Sequence, residues 1–426
     1  MLRFRESLLD GQLLRTMGHD VYGGAAIGEC LATTSSISVG DRESWYAVWR
    51  KLADGTFAAA EASLRDGHRQ SALGAFLRAS NYYRNAYVLH LEAPLPSVAL
   101  DAYRRHREAF RKATALMPRP PEVIAIPFEG GTMPGYFCAA ASEGRRPVVI
   151  SIGGYDSTAE ESYFWNGAAA VSRGYHCVLF DGPGQGAMLL ERGLPFRPDW
   201  EKAVFAVIDA VAQRPDVDTS RIVLVGESFG GYLAPRAAAT DSRVAACVLD
   251  PAQLGLYQAI LARLPLPAST KAQLPDGPRW AVGLLRALFG RMVKKPLPGW
   301  SLRRGMLTHG MASPWDYFVE SKRYELGGLV EEIRCPTLVC DARNDAISAY
   351  AKAFYERLRC EKGYQEFRAD EGAAEHCVSG NRPLFHERIF NWLDACLEKR
   401  AASPRSVEGD LLVASRGLPK APQLAC

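Results

Sequence analysis

Residue types able to carry nucleophilic chemistry first stand out around Ser228. It sits in Gly226-Glu227-Ser228-Phe229-Gly230, behind a mostly β-branched run at 221–225 and ahead of a helical pattern. A G-x-S-x-G string between strand and helix makes a turn so sharp that only small neighbours fit, and it lifts the serine hydroxyl to the sheet's carboxyl edge. The amino end of the following helix favours developing negative charge there. A serine hydroxyl is a poor nucleophile until a base takes its proton and a carboxylate orients that base. His376, in the loop "DEGAAEHCVSG" after the last expected strand, is the candidate base. Asp345, in "DARNDAISAY" after the preceding strand, is the candidate acid, with Asp341 as the alternative. The oxyanion needs main-chain donors, expected at Phe229 N–H and at Tyr155 N–H, where Gly153 and Gly154 permit close backbone approach.

A frame must bring these residues together. Short apolar runs at 146–152, 176–180, 221–225, 245–250 and 335–340 alternate with helical patterns, which predicts an α/β fold with a parallel sheet buried on both faces. A hairpin in 123–140 precedes these runs and "YQEFRAD" adds a last strand. The candidate residues all follow strands, at the carboxyl ends where open α/β sheets build their sites. Residues 1–118 carry helical patterns and no convincing strand, an expected N-terminal helical cap domain that the prolines of "MPRPPEV" terminate. The catalytic domain is expected over 119–400. The stretch from Asp250 to Cys335 far exceeds the ~10–12 residues a crossover needs, so 251–330 reads as a helical lid insertion, and 401–426 as an irregular tail.

Composition excludes several classes. Apolar residues make up 48% and charged residues 23% with a net charge of only +4, so neither a disordered chain nor a nucleic-acid or membrane-surface binder is expected. No apolar run reaches the ~18–20 residues of a membrane span, and the first residues build no signal-peptide core, which points to a cytoplasmic protein. The ten cysteines are scattered without a CxxC pair, and Cys177, Cys247 and Cys340 lie in apolar runs as small hydrophobes. No metal or other cofactor is expected.

The motifs "GGYDSTAEES", "FDGPGQG", "GESFGGYLAPRAAA" and "EGAAEHC", preceded by a helical unit with "RASNYYRNAY", resemble the α/β-hydrolase superfamily. Within it they resemble the group of 2,6-dihydroxypseudooxynicotine hydrolases, fungal heptaketide-shortening hydrolases and fermentation-respiration-switch esterase-like proteins. That resemblance implies Ser228 as nucleophile, His376 as base and Asp345 as orienting acid. It also implies a helical unit closing the site over a small-molecule substrate, cleavage of an ester or of a carbon–carbon bond beside a ketone, and a homodimer. Tyr82, Tyr83 and Arg84 on that unit are candidate substrate contacts, with packing as their alternative role, and Glu227 is a further candidate contact. The loop 181–186 reads as a structural Gly/Pro turn near the site mouth, and Glu160 and Glu161 as carboxylates suiting a helix dipole. An acyltransferase or cyclase using the same three residues is the alternative reaction, and a non-catalytic binding scaffold the alternative class.

Overall fold

The computed structural model describes residues 2–402 except 39, 142, 143, 263 and 265. The irregular tail expected from residue 401 lies, after its first two residues, outside them. Among the described residues five α-helices precede the sheet: α1 (Ser7–Gly18), α2 (Ile27–Thr34), α3 (Arg42–Arg65), α4 (Arg69–Tyr87) and α5 (Ser97–Thr114). The Asp41 carboxylate caps α3 by accepting the Glu43 N–H at 2.9 Å. Its buried residues Trp45, Trp49, Ala53, Phe57 and Ala60 recur every three to four positions and form one face. That face covers α4, which is buried continuously from Ala79 to Tyr87 between α3 and α5.

The sheet contains β1 (Glu122–Phe128), β2 (Gly131–Cys138), β3 (Arg146–Ile152), β4 (His176–Phe180), β5 (Val217–Glu227), β6 (Val244–Asp250), β7 (Thr337–Ala342) and β8 (Lys362–Phe367). Their order is β1-β2-β4-β3-β5-β6-β7-β8. The first pairings, β1 with β2 and β2 with β4, are antiparallel and the rest parallel. Glu129 and Gly130 turn the hairpin with φ of 46° and 78°, the left-handed pair that a two-residue hairpin requires. The chain leaves β3 toward β4 and β5 toward β6 on opposite sides, so the carboxyl ends of β3 and β5 flank the crevice where such sheets bind ligands.

Both faces of the sheet are covered. On one, Val149, Cys177, Leu179, Val223 and Val225 share a core with Phe76, Tyr83 and Phe110 of the helical region and with Phe385 and Ile389 of the last helix. On the other, Val148, Ile150 and Leu224 pack with the helices Glu201–Ala212 and Gly230–Thr240. Between β6 and β7 the chain forms further helices, among them Leu256–Ala262, Arg279–Met292, Trp300–His309 and Pro314–Glu320.

Candidate active site

Ser228 caps β5 with φ of +55°, a left-handed conformation that a non-glycine residue adopts only where its surroundings enforce it. The glycines around it explain how the turn closes. A β-carbon at Gly226 would strike the Gly230 carbonyl, and one at Gly230 the Ile152 carbonyl at the end of β3. The Ser228 hydroxyl oxygen lies 3.0 Å from Nε2 of His376, whose Nδ1 lies 2.7 Å from Oδ2 of Asp345. An ionised carboxylate can only accept, so Nδ1 carries the proton and Nε2 is left to accept from the serine. Asp345 also accepts the Ile347 N–H at 2.9 Å, which fixes its carboxylate in the loop after β7. Asp341 stands apart and accepts from the Tyr364 hydroxyl at 2.6 Å.

The histidine loop is itself strained, with Cys377 and Val378 at φ of 52° and 48°. One main-chain group ties it to the nucleophile turn. The Asp250 carbonyl, at the end of β6, accepts the Ser228 N–H at 2.8 Å and the Cys377 thiol at 3.4 Å. Removal from bulk water favours the neutral His376 ring, but the adjacent Cys377 sulfur and the Asp345 carboxylate outweigh it and raise its pKa well above 6.5. Burial pushes the Cys377 thiol up to about 11, so it is neutral at physiological pH and Asp345 supplies the effective charge.

The loop after β3 approaches the serine as closely as backbone can. A β-carbon on Gly154 would lie 2.8 Å from the Ser228 β-carbon and 2.9 Å from the Phe229 nitrogen. Among the described residues, neither Tyr155 N–H nor Phe229 N–H is used in a turn, cap or loop hydrogen bond. The Tyr155 ring packs on Phe229, with centroids 4.7 Å apart, and its hydroxyl lies 2.8 Å from His309 Nε2 and 3.1 Å from the Tyr317 hydroxyl. Gln185 donates to the Gly153 carbonyl at 2.7 Å, and Asp181 accepts the N–H groups of Ala159 and Ala187. The 181–186 loop is therefore a brace under the loop that follows β3.

Above the serine lies a cavity of about 730 Å³. Its wall is mostly apolar, from Leu8 of α1 to Phe289, Met292, Trp300 and Phe318 of the 251–336 segment, with Arg15 and Arg304 as cations. The tyrosines expected to face it do not. Tyr83 is buried inside the helical region, donating to Asp54 at 2.6 Å under the Arg50 guanidinium, and Tyr82 donates to Glu29. Arg84 is fully buried behind the wall, where it donates to Gln12 and pairs with Asp156 and Glu161. Glu227 borders the cavity, but its carboxylate accepts from Arg382 at 2.6 Å beneath the turn. Glu161 is not a solvent-facing dipole partner. It is buried between Arg15, Arg84 and His19, and the two arginines hold it ionised, well below the usual carboxylate range, against the pull of burial. Sequence reasoning missed α1 as the helix facing the site. The signal was present as Leu8, Gly11, Gln12 and Arg15, spaced three to four apart on one helical face.

Residues 148–383 match the model of the Alpha/beta hydrolase family. The chain is 33% identical over 414 residues to the 20-hydroxy-prefusarin hydrolase of Gibberella moniliformis, spanning 92% of this chain and 97% of that protein. It is 33% identical over 420 residues to a hydrolase of a Fusarium species, at 92% and 97% coverage. Among solved structures, 2,6-dihydroxy-pseudo-oxynicotine hydrolase superposes with a TM-score of 0.67 at 22% identity, covering 88% of this chain and 94% of that one, a likeness of fold.

Proposed function

This chain belongs to the Alpha/beta hydrolase family, and from that premise we propose that it is a serine hydrolase working through an acyl-enzyme. The observation that carries the reading is the continuous Ser228, His376 and Asp345 hydrogen-bonded line on the floor of an apolar cavity. His376 Nε2 takes the hydroxyl proton as Ser228 Oγ bonds to the substrate carbonyl carbon. The carbonyl oxygen becomes the oxyanion and faces the N–H groups of Tyr155 and Phe229. When the tetrahedral adduct collapses, the bond to the leaving group breaks and the leaving group takes the proton from His376. Water then attacks the acyl-serine by the same two steps, releasing acid and free Ser228.

Substrates that fit are esters, or β-diketone and polyketide-like small molecules whose leaving group departs as an enolate that His376 protonates. The mostly apolar wall supports such a compound, and the name of the prefusarin hydrolase relative points the same way. Treating the protein with a fluorophosphonate and mapping the adduct tests the reading. Modification of Ser228, absent after Ser228→Ala, is expected. Turnover of short esters should fall by ~10⁴-fold or more in that variant. Undiminished turnover or labelling elsewhere contradicts the reading.

A further inference from the structure

One cavity-wall cation is ion-paired but makes no hydrogen bond to any described residue. Arg304, on the helix Trp300–His309, lies with its guanidinium 4.1 Å from the Trp300 ring centroid and 5.2 Å from that of Tyr155. Its side chain is 20% exposed and borders the cavity. Among the described residues it makes no hydrogen bond, and its Nε is buried without an acceptor. Its ion-pair partner is Asp156, whose Oδ1 lies 3.6 Å away, beyond hydrogen-bond distance, while Arg15 at 3.1 Å and Arg84 at 3.2 Å share the other oxygen, Oδ2.

Charge counting around this point leaves an excess of one cation. Arg15, Arg84 and Arg304 face only Asp156 and Glu161. His19, the other group on Glu161, is neutral because burial pushes its pKa down to about 4. Of the other carboxylates bordering the cavity, Glu227 is paired with Arg382, and Glu375 accepts from the neutral Asn344 amide. A guanidinium over an indole still offers N–H groups to a planar acceptor such as a carboxylate, and a buried donor left without a hydrogen bond is costly until one arrives.

We infer that the substrate carries a carboxylate, held by Arg304 at the end of the cavity wall next to the loop after β3. This deepens, and rests on, the reading of the cavity as the substrate site. The acyl chain then lies along the apolar wall with its reacting carbonyl over Ser228 and its anionic group on Arg304. Asp156, 3.6 Å away, keeps the guanidinium at the wall without taking up its hydrogen-bond donors.

The test separates binding from chemistry. In the Ser228→Ala protein, binding of monomethyl suberate and of dimethyl suberate, which differ at one terminus as free carboxylate against methyl ester, is measured by isothermal titration calorimetry. The half-ester is expected to bind at least tenfold more tightly. Arg304→Gln in the same background should level the two, Arg304→Lys should restore part of the preference, and Arg304→Glu should shift it toward methyl 8-aminooctanoate. Equal binding of half-ester and diester by the Ser228→Ala protein overturns the inference, as does a preference that survives Arg304→Gln. If Arg304→Gln fails to fold, the comparison in the Ser228→Ala protein alone still decides it. Turnover of the diester by the unmodified enzyme reports separately on the serine-hydrolase reading, because binding to the Ser228→Ala protein does not depend on it.

Discussion

At the scale of single residues, the site rests on one proton's position. His376 can serve as base only while its ring is neutral, and the Asp345 carboxylate 2.7 Å from Nδ1 favours the charged ring, so the pKa rises above 6.5. Activity should therefore be lost as pH falls through that raised value and recovered above it. We expect kcat/KM to climb with pH through a midpoint above 6.5. Asp345→Asn removes the raising charge and the acceptor for Nδ1–H, so its midpoint should move down toward 6.5 while kcat drops by ~10⁴-fold. A pH profile whose midpoint stays put in Asp345→Asn would rule out Asp345 as the partner. Asp341, tied to Tyr364, should tolerate replacement by Asn with kcat nearly unchanged.

At the scale of elements, the question is what lets a loop and a strand end meet within van der Waals contact. The loop after β3 reaches Ser228 because Gly154 has no side chain, and an alanine there places its methyl 2.9 Å from both the Phe229 nitrogen and the Ser228 hydroxyl oxygen. In the proposed mechanism that methyl would take the space of the oxyanion, so Gly154→Ala should cost ~10²–10³ in kcat, the size of a lost oxyanion donor, together with a fall in melting temperature because the turn must shift to admit it. Equal kcat would show that the oxyanion forms elsewhere. This loop was legible in the sequence because glycine pairs and strand runs are local signals. The runs at 146–152 and 176–180 coincide with β3 and β4. What faces the cavity was not legible. Tyr83 and Arg84 carry the chemistry of a contact, but α4 is enclosed by α3 and α5, and only tertiary packing decides that. Arg15, 146 residues from Glu161, pairs with it through no local pattern at all. Breaking that pair leaves Glu161 sharing one arginine, so Arg15→Met should lower stability by about 3 kcal/mol, read from denaturant unfolding.

At the scale of the whole molecule, the cavity exists because three separate stretches of chain close on the sheet's carboxyl edge, and that closure buries groups that ordinarily titrate. His309, from the segment between β6 and β7, is enclosed by Tyr155 of the loop after β3, Phe196 and Tyr324, and burial pushes its pKa down to about 3. A histidine held neutral in the folded chain contributes stability that is complete above 6.5, the unfolded value, and is lost as pH falls toward 3. Asp156 acts in the same direction at lower pH. Burial works against its charge, but Arg15, Arg304 and Arg84 hold its pKa down to about 2, so its contribution disappears between 3.8 and 2. Asp181 and Asp250 oppose them, since burial raises both to about 7 and their contribution fades as pH rises from 3.8 to 7. The parent's stability curve mixes these signs, but one substitution isolates the closure. His309→Gln keeps an acceptor for the Tyr155 hydroxyl and removes the titrating ring. Between pH 6.5 and 4, unfolding free energy should fall more steeply in the parent than in this variant, by up to one proton's worth, ~1.4 kcal/mol per pH unit. Denaturant titrations at pH 4.5, 5.5 and 6.5 measure that difference, and parallel curves would mean that His309 is not buried neutral and that the segment does not close over the loop after β3 in solution.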